Sequence, residues 1–263
     1  MLFTGAECQV AATMAAAAEV QPKTAPTDVS LFRAFGISAP DIYYPKFFEG
    51  YWEVDSVLVD VDIPGGIEQL SLPRLASIRD MLDRHEKWEV RYINHKGNII
   101  ADRVYNTLSL IEGSVMQFRG IWNPDEANRM RLEVTVDSAG RKTDHGFGVE
   151  TLITRRSFDS PAPGTFDSSE FSRETTDNPR IYQGPPHVDA KQISSRYKWD
   201  PIQEFPDEMK VIQKIATFDL PGEQDSLGKD VENLFRVLSS TTRPSVIKKY
   251  VSRMTRKTEP AAS

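Results

Sequence analysis

The most chemically dense part of the sequence is Ala101–Thr107, which combines an acid, a guanidinium, a phenol and an amide. The turn chemistry before it predicts that this segment belongs to a strand. Side chains alternate between the faces of a strand, which places Arg103 and Tyr105 together and Asp102 and Asn106 on the other face. Asp102 and Arg103 therefore cannot pair with each other, and each must find a partner elsewhere.

Two interpretations of this stretch stay open. In the first, Asp102 and Arg103 anchor turns or neighbouring strands at a barrel end. In the second, the face that carries Tyr105 lines a ligand pocket together with Trp88 and Tyr92. Substitution of Arg103 by alanine separates the two, because loss of folding supports the anchor and a stable protein contradicts it. The candidate residues for a pocket or an anchor are Trp88, Tyr92, Asp102, Arg103, Tyr105 and Asn106.

The histidines do not form a pattern that indicates catalysis or metal binding. No two of them have the i,i+4 spacing of a helical site or the His-x-His spacing of a strand site. They stand at a predicted helix end, a turn, a strand entry and a proline-rich loop. We therefore expect no metal ion and no cofactor. The four histidines are His85, His95, His145 and His187.

Other catalytic motifs are also missing from the sequence. Ser194-Ser195 lacks the Gly-x-Ser-x-Gly turn of a nucleophile elbow. Alternation along a strand divides Asp55, Asp60 and Asp62 between two faces, which favours a solvated surface over a calcium site. Gly146-Phe147-Gly148 lacks the following helix that phosphate binding requires. The sequence predicts that the protein is not an enzyme.

Composition excludes several classes of partner and of site. The net charge is −6 with a pI of about 5.4, and the two signs are interspersed, which argues against a nucleic-acid surface. Cys8 is the single cysteine, so an internal disulfide and a cysteine-based zinc site are excluded. No apolar run approaches the roughly 18 residues of a membrane-spanning helix, so no transmembrane segment is expected.

The first predicted strand, Phe47–Val61, carries the pattern on which the rest of the fold prediction depends. Trp52, Val54 and Leu58 alternate with acidic residues, which is typical of a half-buried antiparallel strand. Beyond Leu58 the apolar phase slips by one residue, so a bulge or bend is predicted there.

The following segments predict a short helix and then a series of strands. Apolar residues at helical spacing follow Pro73 and predict a helix that ends near Leu82. Trp88–Tyr92 alternates as a strand, and His95–Asn98 turns the chain into a second strand over Ile99–Thr107. Further strands are predicted over 115–122, 130–136, 147–153, 193–199, 209–218 and 245–256.

Two segments interrupt this series. Residues 157–189 are rich in Pro, Gly, Ser and Asp and predict a long loop with a helical turn at 168–171. Residues 219–243 contain apolar residues at helical spacing and predict a helical insertion. Together the elements predict an all-β protein, an antiparallel β-barrel of about nine strands with two short helices and long loops.

The chain ends differ in composition from the predicted barrel domain, 44–256. Residues 1–26 are alanine-rich, with small residues at the spacing that a signal peptidase accepts, which favours a residual targeting segment over a disordered tail. Residues 27–43 are predicted as an N-terminal arm and 257–263 as a C-terminal tail.

Gly50 and Trp52 in the first strand, with Arg253 in the last, resemble the lipocalin arrangement. In that arrangement an arginine packs over the tryptophan that closes one barrel end. A guanidinium over an indole gains cation–π attraction while its donors satisfy strand-end carbonyls. The resemblance implies a lipocalin-like barrel with Gly50, Trp52 and Arg253 at its closed end.

The sequence also contains four islands, Tyr44–Ser56, Gly97–Leu110, Trp122–Met130 and Ser169–Phe171. They resemble a family of uncharacterised thylakoid-lumen proteins of cyanobacteria and chloroplasts, which is described as a domain of unknown function. The resemblance extends from about Tyr44 to Asp219. It implies a location in the chloroplast thylakoid lumen, peripheral to the membrane, and it implies no catalytic residues.

Three hypotheses for the function remain, and the third, an enzyme, is the weakest because the sequence shows no acid–base residues for a cavity. Extended segments around a modest barrel favour a non-catalytic protein that docks to a photosynthetic membrane complex and stabilises it or helps assemble it. The expected contacts are the N-terminal arm, 157–189 and 219–243. The alternative is a lipocalin-type carrier of a pigment, isoprenoid or lipid, which requires an apolar void of roughly several hundred cubic ångströms. An interior filled with side chains would exclude that carrier.

Overall fold

Antiparallel strands form most of the chain that the computed structural model describes, residues 27–28, 40–112, 114, 116–136, 140, 148–177, 187–218 and 243–257. Two α-helices occur in this part of the chain, α1 (Leu72–Met81) and α2 (Arg103–Leu110), with short 3-10 helices at Lys46–Phe48, Ile67–Gln69 and Pro124–Glu126. The strands are β1 (Thr27–Asp28), β2 (Gly50–Asp62), β3 (His85–His95), β4 (Asn98–Ala101), β5 (Gln117–Trp122), β6 (Arg129–Val136), β7 (Gly148–Asp159), β8 (Thr165–Asp177), β9 (His187–Lys198), β10 (Glu208–Phe218) and β11 (Val246–Lys257).

Ten of these strands form one curled sheet, a half-barrel in which all neighbours are antiparallel. Its order is β4-β3-β2-β11-β10-β9-β8-β7-β6-β5, and the short β1 pairs with β7. The first and last long strands, β2 and β11, are hydrogen-bonded neighbours, and neither is an edge strand of the sheet. The expected all-β, lipocalin-like fold is confirmed, with ten sheet strands where the sequence predicted about nine.

Helix α2 covers the side of the half-barrel that hydrogen bonding leaves open. The sheet's edge strands are β4 and β5, and no ladder joins them in the described residues. Helix α2 connects them and contacts both β3 and β5. A Cβ at Gly120 in β5 would lie 2.3 Å from Cγ1 of Val104 in α2. The glycine therefore allows the helix to approach the strand closely.

Two local predictions for the first strands are confirmed. The register of β2 against β11 shifts near Leu58, because Leu58 faces Tyr250 whereas Asp60 faces Lys249. This is the irregularity that the slip in the apolar pattern predicted. The β3–β4 hairpin turns at Lys96 and Gly97, whose φ angles of 53° and 85° are both positive, as a type I′ turn requires.

The prediction of a strand over Ile99–Thr107 is wrong beyond Ala101. The strand ends there, and Asp102 is the N-cap of α2, its side chain accepting a hydrogen bond from the backbone N–H of Tyr105 at 3.0 Å. Aspartate is among the preferred N-cap residues, because its carboxylate satisfies a backbone donor that the first helical turn leaves unpaired. The helix predicted after Pro73 is confirmed as α1. The second α-helix of the described residues, α2, begins at Arg103, where a strand had been predicted.

The prediction of a long loop over 157–189 is also wrong. Strand β7 continues to Asp159, β8 occupies Thr165–Asp177, and β9 begins at His187. The predicted helical turn at 168–171 therefore lies within β8. Apolar alternation is weak in β8 because its inward positions include Ser172 and Glu170. The charge of Glu170 is compensated by Arg103 and Arg156.

Several predictions fall outside the described residues. They are the targeting segment 1–26, most of the N-terminal arm, the helical insertion up to residue 242 and the tail beyond residue 257.

The main hydrophobic cluster lies at the end of the sheet where β2 begins, which we call the Trp52 end. Phe48 and Trp52 are completely buried there, and Tyr44, Phe47, Trp88 and Trp199 pack around them. The buried members are Ile42, Phe48, Trp52, Val54, Tyr92, Ile99, Phe166, Tyr197, Met209, Val211 and Met254.

Candidate functional site

Four charged side chains from distant parts of the chain meet in the interior and form a buried charge cluster: Asp41, Arg103, Arg156 and Glu170. Arg103 donates two hydrogen bonds to the carboxylate of Glu170, at 3.0 and 2.7 Å, and one to Oδ1 of Asp41 at 2.5 Å. Arg156 lies 3.4 Å from Glu170 and 3.6 Å from Asp41. Two positive and two negative groups therefore compensate each other.

Different elements position each member of this cluster. Arg103 occupies the first turn of α2, Arg156 lies on β7, and Glu170 lies opposite Arg156 on β8. Asp41 precedes the first 3-10 helix and accepts a bond from the N–H of Ile42 at 2.8 Å. The cluster thus links the helix over the open side of the half-barrel to two central strands and to the chain before β2.

Burial and mutual attraction set the protonation states in the cluster. Burial alone would lower the pKa of Arg103, but the carboxylates of Glu170 and Asp41 raise it above its ordinary value. Burial would raise the pKa of Glu170, yet Arg103 and Arg156 hold it below its ordinary value. Both shifts favour the charged forms of Arg103 and Glu170.

Some hydrogen-bonding capacity in the cluster is unused. Arg156 also donates to the carbonyl of Pro40 at 2.7 Å. Among the described residues, however, Oδ2 of Asp41 and the Nε atoms of Arg103 and Arg156 have no hydrogen-bond partner. Asp41 and Arg156 are only 5% and 2% exposed at their side chains. Removing one partner would leave an uncompensated charge there, which is costly.

A second set of contacts fastens α2 to β3 through Arg91. The Arg91 guanidinium donates to Oδ2 of Asp102 at 3.0 and 2.5 Å and lies 4.7 Å from the ring centroid of Tyr105. Asn106 accepts from the backbone N–H of Arg91 at 2.6 Å and donates to its carbonyl at 3.2 Å. The Tyr105 hydroxyl donates to Glu89 at 2.7 Å, and burial together with Glu89 raises the pKa of Tyr105 to about 12.

These contacts place the predicted residues of the Ala101–Thr107 stretch in anchoring positions. Asp102 and Arg103 do find separate partners, as the sequence indicated, although the element is a helix instead of a strand. The helix could have been recognised from Asp102 as an N-cap followed by Val104 and Leu108 at i,i+4 spacing. Asp41, Arg91, Arg156 and Glu170 were missed, because no local pattern in the sequence shows which charged side chains meet in space.

At the Trp52 end the arginine over the indole is Arg256, and the prediction of Arg253 is wrong. The Cζ of Arg256 lies 4.4 Å from the ring centroid of Trp52. Arg256 also donates to the carbonyls of Glu49, at 3.1 Å, and Phe47, which are the strand-end carbonyls that such an arginine is expected to satisfy. Arg253 lies on the other face of β11 and pairs with Glu208 at 2.5 Å.

Alternation along β11 explains this difference. Ser252 and Met254 are buried, so residues of even number in this part of the strand face inward. Arg256 continues that face and lies directly opposite Trp52 in the β2–β11 register. Arg253 has the opposite parity, and this signal was present in the sequence. Gly50, with a φ of 109°, begins β2 next to Arg256.

Tyr92 and Trp88 belong to the core at this end. Tyr92 packs against the rings of Tyr44, at 4.7 Å between centroids, and Phe48, at 5.1 Å. Burial raises the pKa of Tyr92 well above its ordinary value. Trp88 is partly buried against the same cluster. Rings therefore pack against both residues at the Trp52 end, and neither Tyr92 nor Trp88 lines the pocket described below.

One surface pocket of about 180 Å³ lies beside the buried charge cluster. Its polar centre is Asp125, whose Oδ1 contacts Nε2 of His95 at 2.8 Å and also Nζ of Lys96. Lys96 and His95 lower the pKa of Asp125. The described lining residues are Pro40, Asp41, Tyr43, His95, Lys96, Asn98, Ile100, Pro124, Asp125 and Ala127.

Within the described ranges, the remaining histidines and acids do not assemble a site. His85 pairs with Asp55 at 2.8 Å on the exposed face of the sheet, and His145 lies outside the described residues. Over the part of the chain that the structure covers, no three His, Cys, Asp or Glu side chains converge as metal ligands would. The helices described there include none long and apolar enough to cross a membrane.

Comparison with known proteins gives one match. The family model described as Domain of unknown function (DUF6816) matches residues 36–258, a range that contains the buried charge cluster, the Arg91 contacts and the ten described strands of the curled sheet. No curated protein and no solved structure was found to match the chain.

Proposed function

This chain belongs to the DUF6816 family, and we propose that it is a non-catalytic protein that docks to a photosynthetic membrane complex and stabilises it or helps assemble it. The resemblance of its sequence islands to thylakoid-lumen proteins supports the thylakoid lumen as its location, with the chain peripheral to the membrane. Its partner is then a complex that exposes a protein surface on the lumenal side.

The observation that carries this proposal is that the interior charges are paired with each other. Arg103, Glu170, Asp41 and Arg156 compensate each other inside the fold. Arg91, Asp102, Tyr105 and Asn106 fix α2 to β3. Charged groups that are paired with each other in the free protein act mainly to stabilise the fold. Recognition is therefore assigned to the outer surface.

A lipocalin-type carrier of a pigment, isoprenoid or lipid is the weaker alternative. Such ligands need a mostly apolar cavity of about 300–1,000 Å³. At the Trp52 end the interior is occupied by the rings of Tyr44, Phe48, Trp52 and Tyr92. The pocket beside Asp41 is smaller, about 180 Å³, and its lining includes His95, Lys96 and Asp125. These features favour docking over carriage.

Native electrophoresis tests the proposal. Thylakoid membranes are solubilised in mild detergent, and the chain is located by an antibody after the complexes have been separated. We expect it to co-migrate with a photosystem, whereas a freely soluble lumenal protein of similar size, the control, does not. Recovery of the chain only in the soluble lumen fraction contradicts docking. Recovery with a bound pigment or lipid in that fraction would support the carrier instead.

A further inference from the structure

The loop between β9 and β10, residues 199–207, presents two large apolar side chains to solvent. Ile202 is 90% exposed and Phe205 is 66% exposed. Single exposed apolar residues are common on protein surfaces and need no explanation. Here two of them lie three residues apart on one short loop at the Trp52 end of the sheet.

The loop is held in a fixed conformation, so this exposure is built into the fold. The N–H of Trp199 donates to the carbonyl of Gly164 at 2.9 Å, which ties the loop to the β7–β8 turn. Asp200 caps the turn by accepting from the N–H of Ile202 at 3.0 Å. A Cβ at Gly164 would lie 2.5 Å from the carbonyl oxygen of Trp199, so the two segments are in close contact.

The far side of the loop is anchored as well. Pro206 is completely buried, and the N–H of Arg256 donates to the carbonyl of Asp207 at 2.8 Å. Arg256 also lies over Trp52. The loop therefore presents Ile202 and Phe205 on the same framework that closes the barrel end. A preorganised apolar pair loses little conformational entropy on binding, which is a property of interface anchors.

The charges within the loop itself are acidic. Asp200, Glu204 and Asp207 are exposed, and the loop contains no Lys or Arg. The exposed Lys198 and Lys210 stand at the strand ends that flank it, and Asp207 lies 3.7 Å from Nε of Arg256. An anionic lipid surface attracts basic segments and repels acidic ones. The acidic rim therefore disfavours insertion of the loop into a lipid surface. It suits a protein pocket that is apolar at its centre and has Lys or Arg at its rim.

We infer that the β9–β10 loop is the docking element of this protein and that Ile202 and Phe205 insert into an apolar pocket, rimmed by basic residues, on the lumenal face of its partner complex. This inference rests on the docking function proposed above and assigns it to one surface. Burial of the two side chains supplies affinity, and the acidic rim supplies orientation and a dependence on salt.

The test uses labelled full-length protein and inside-out thylakoid vesicles, which expose the lumenal face. The loop variant is Ile202→Ser with Phe205→Ser. Its matched control is Ile67→Ser with Leu72→Ser, because Ile67 and Leu72 are 61% and 82% exposed and lie in the β2–β3 connection, at the opposite end of the strands. Thermal unfolding confirms that each variant is folded, as expected for exposed positions.

The expected result is that the loop variant binds about tenfold or more weakly than the wild type, as hot-spot truncation does, while the control variant binds normally. Glu204→Lys is expected to weaken binding in low salt, and added salt is expected to weaken wild-type binding. Vesicles made from thylakoid lipids without protein should bind neither form.

Each other outcome overturns the inference in a distinguishable way. If the loop variant binds normally, or if the Ile67 and Leu72 control loses binding, docking depends on another surface. The proposed function is not contradicted by either result. Equal binding to protein-free lipid vesicles identifies a lipid surface in place of a protein pocket. If the wild type does not bind the inside-out vesicles, both the inference and the docking function are wrong.

Discussion

Arg103 and Glu170 form a two-bond ion pair, at 3.0 and 2.7 Å, between residues that lie 67 positions apart in the sequence. The pair joins α2 to β8. Since α2 covers the open side of the half-barrel, this contact connects the covering helix to the middle of the sheet. Its burial makes its loss far more costly than the loss of a surface ion pair.

Arg103→Ala is therefore expected to destabilise the protein by about 3–5 kcal/mol, because Glu170 and Asp41 then share Arg156 as a counter-ion and one buried negative charge is left uncompensated. Chemical denaturation measures the change. Arg119→Ala is the matched control, since Arg119 is two-thirds exposed in its pair with Glu133, and only a slight change is expected there. Similar losses in the two variants would contradict the anchoring role of Arg103.

The second prediction separates Arg256 from Arg253 on β11. Arg256→Ala is expected to cost about 1–2 kcal/mol, because the cation–π contact with Trp52 and the bonds to two carbonyls are lost. Arg253→Ala should cost less, since its contact is the exposed pair with Glu208. Trp52 fluorescence should change in the first variant alone. A larger effect at Arg253 would reverse the assignment made here.

The third prediction concerns the contact between α2 and β5. Gly120→Ala places a methyl group 2.3 Å from Cγ1 of Val104, so a destabilisation of roughly 1–3 kcal/mol is expected from overpacking. Combining it with Val104→Ala removes the collision. The loss of unfolding free energy in the double variant should then be smaller than the sum of the losses in the two single variants. Chemical denaturation measures these losses. If they are additive, a methyl group at position 120 does not collide with Val104.

The fourth prediction is a loss of stability in acid. The pKa of Glu170 is lowered in the folded protein, so its contribution is complete above the ordinary glutamate value, about 4.3, and is lost as the pH falls through the folded value. The difference in unfolding free energy between the wild type and Glu170→Gln should therefore shrink as the pH is lowered from about 6 to about 3. A constant difference across this range would show that Glu170 gains nothing from its charge in the folded state.

Local patterns in the sequence were sufficient for the elements whose side chains obey one period. The alternation of β2, including its slip near Leu58, appears in the structure, and so does the hairpin at Lys96 and Gly97. Such elements follow from side-chain alternation and backbone sterics, which act between residues close in sequence. By contrast, β8 was predicted as part of a loop, because residues 157–189 are rich in Pro, Gly, Ser and Asp; its inward-facing Glu170 is compensated by Arg103 and Arg156, which no local pattern reveals.

The sequence by itself determined the fold class, the position of Trp52 in the core and the scarcity of catalytic motifs, since each depends on composition, on spacing or on alternation along one strand. Tertiary structure alone decided which charges meet. Asp41, Arg103, Arg156 and Glu170 come together only because α2, β7 and β8 pack around one interior. An ion pair depends on distance in space, and its partners can lie at any separation along the chain.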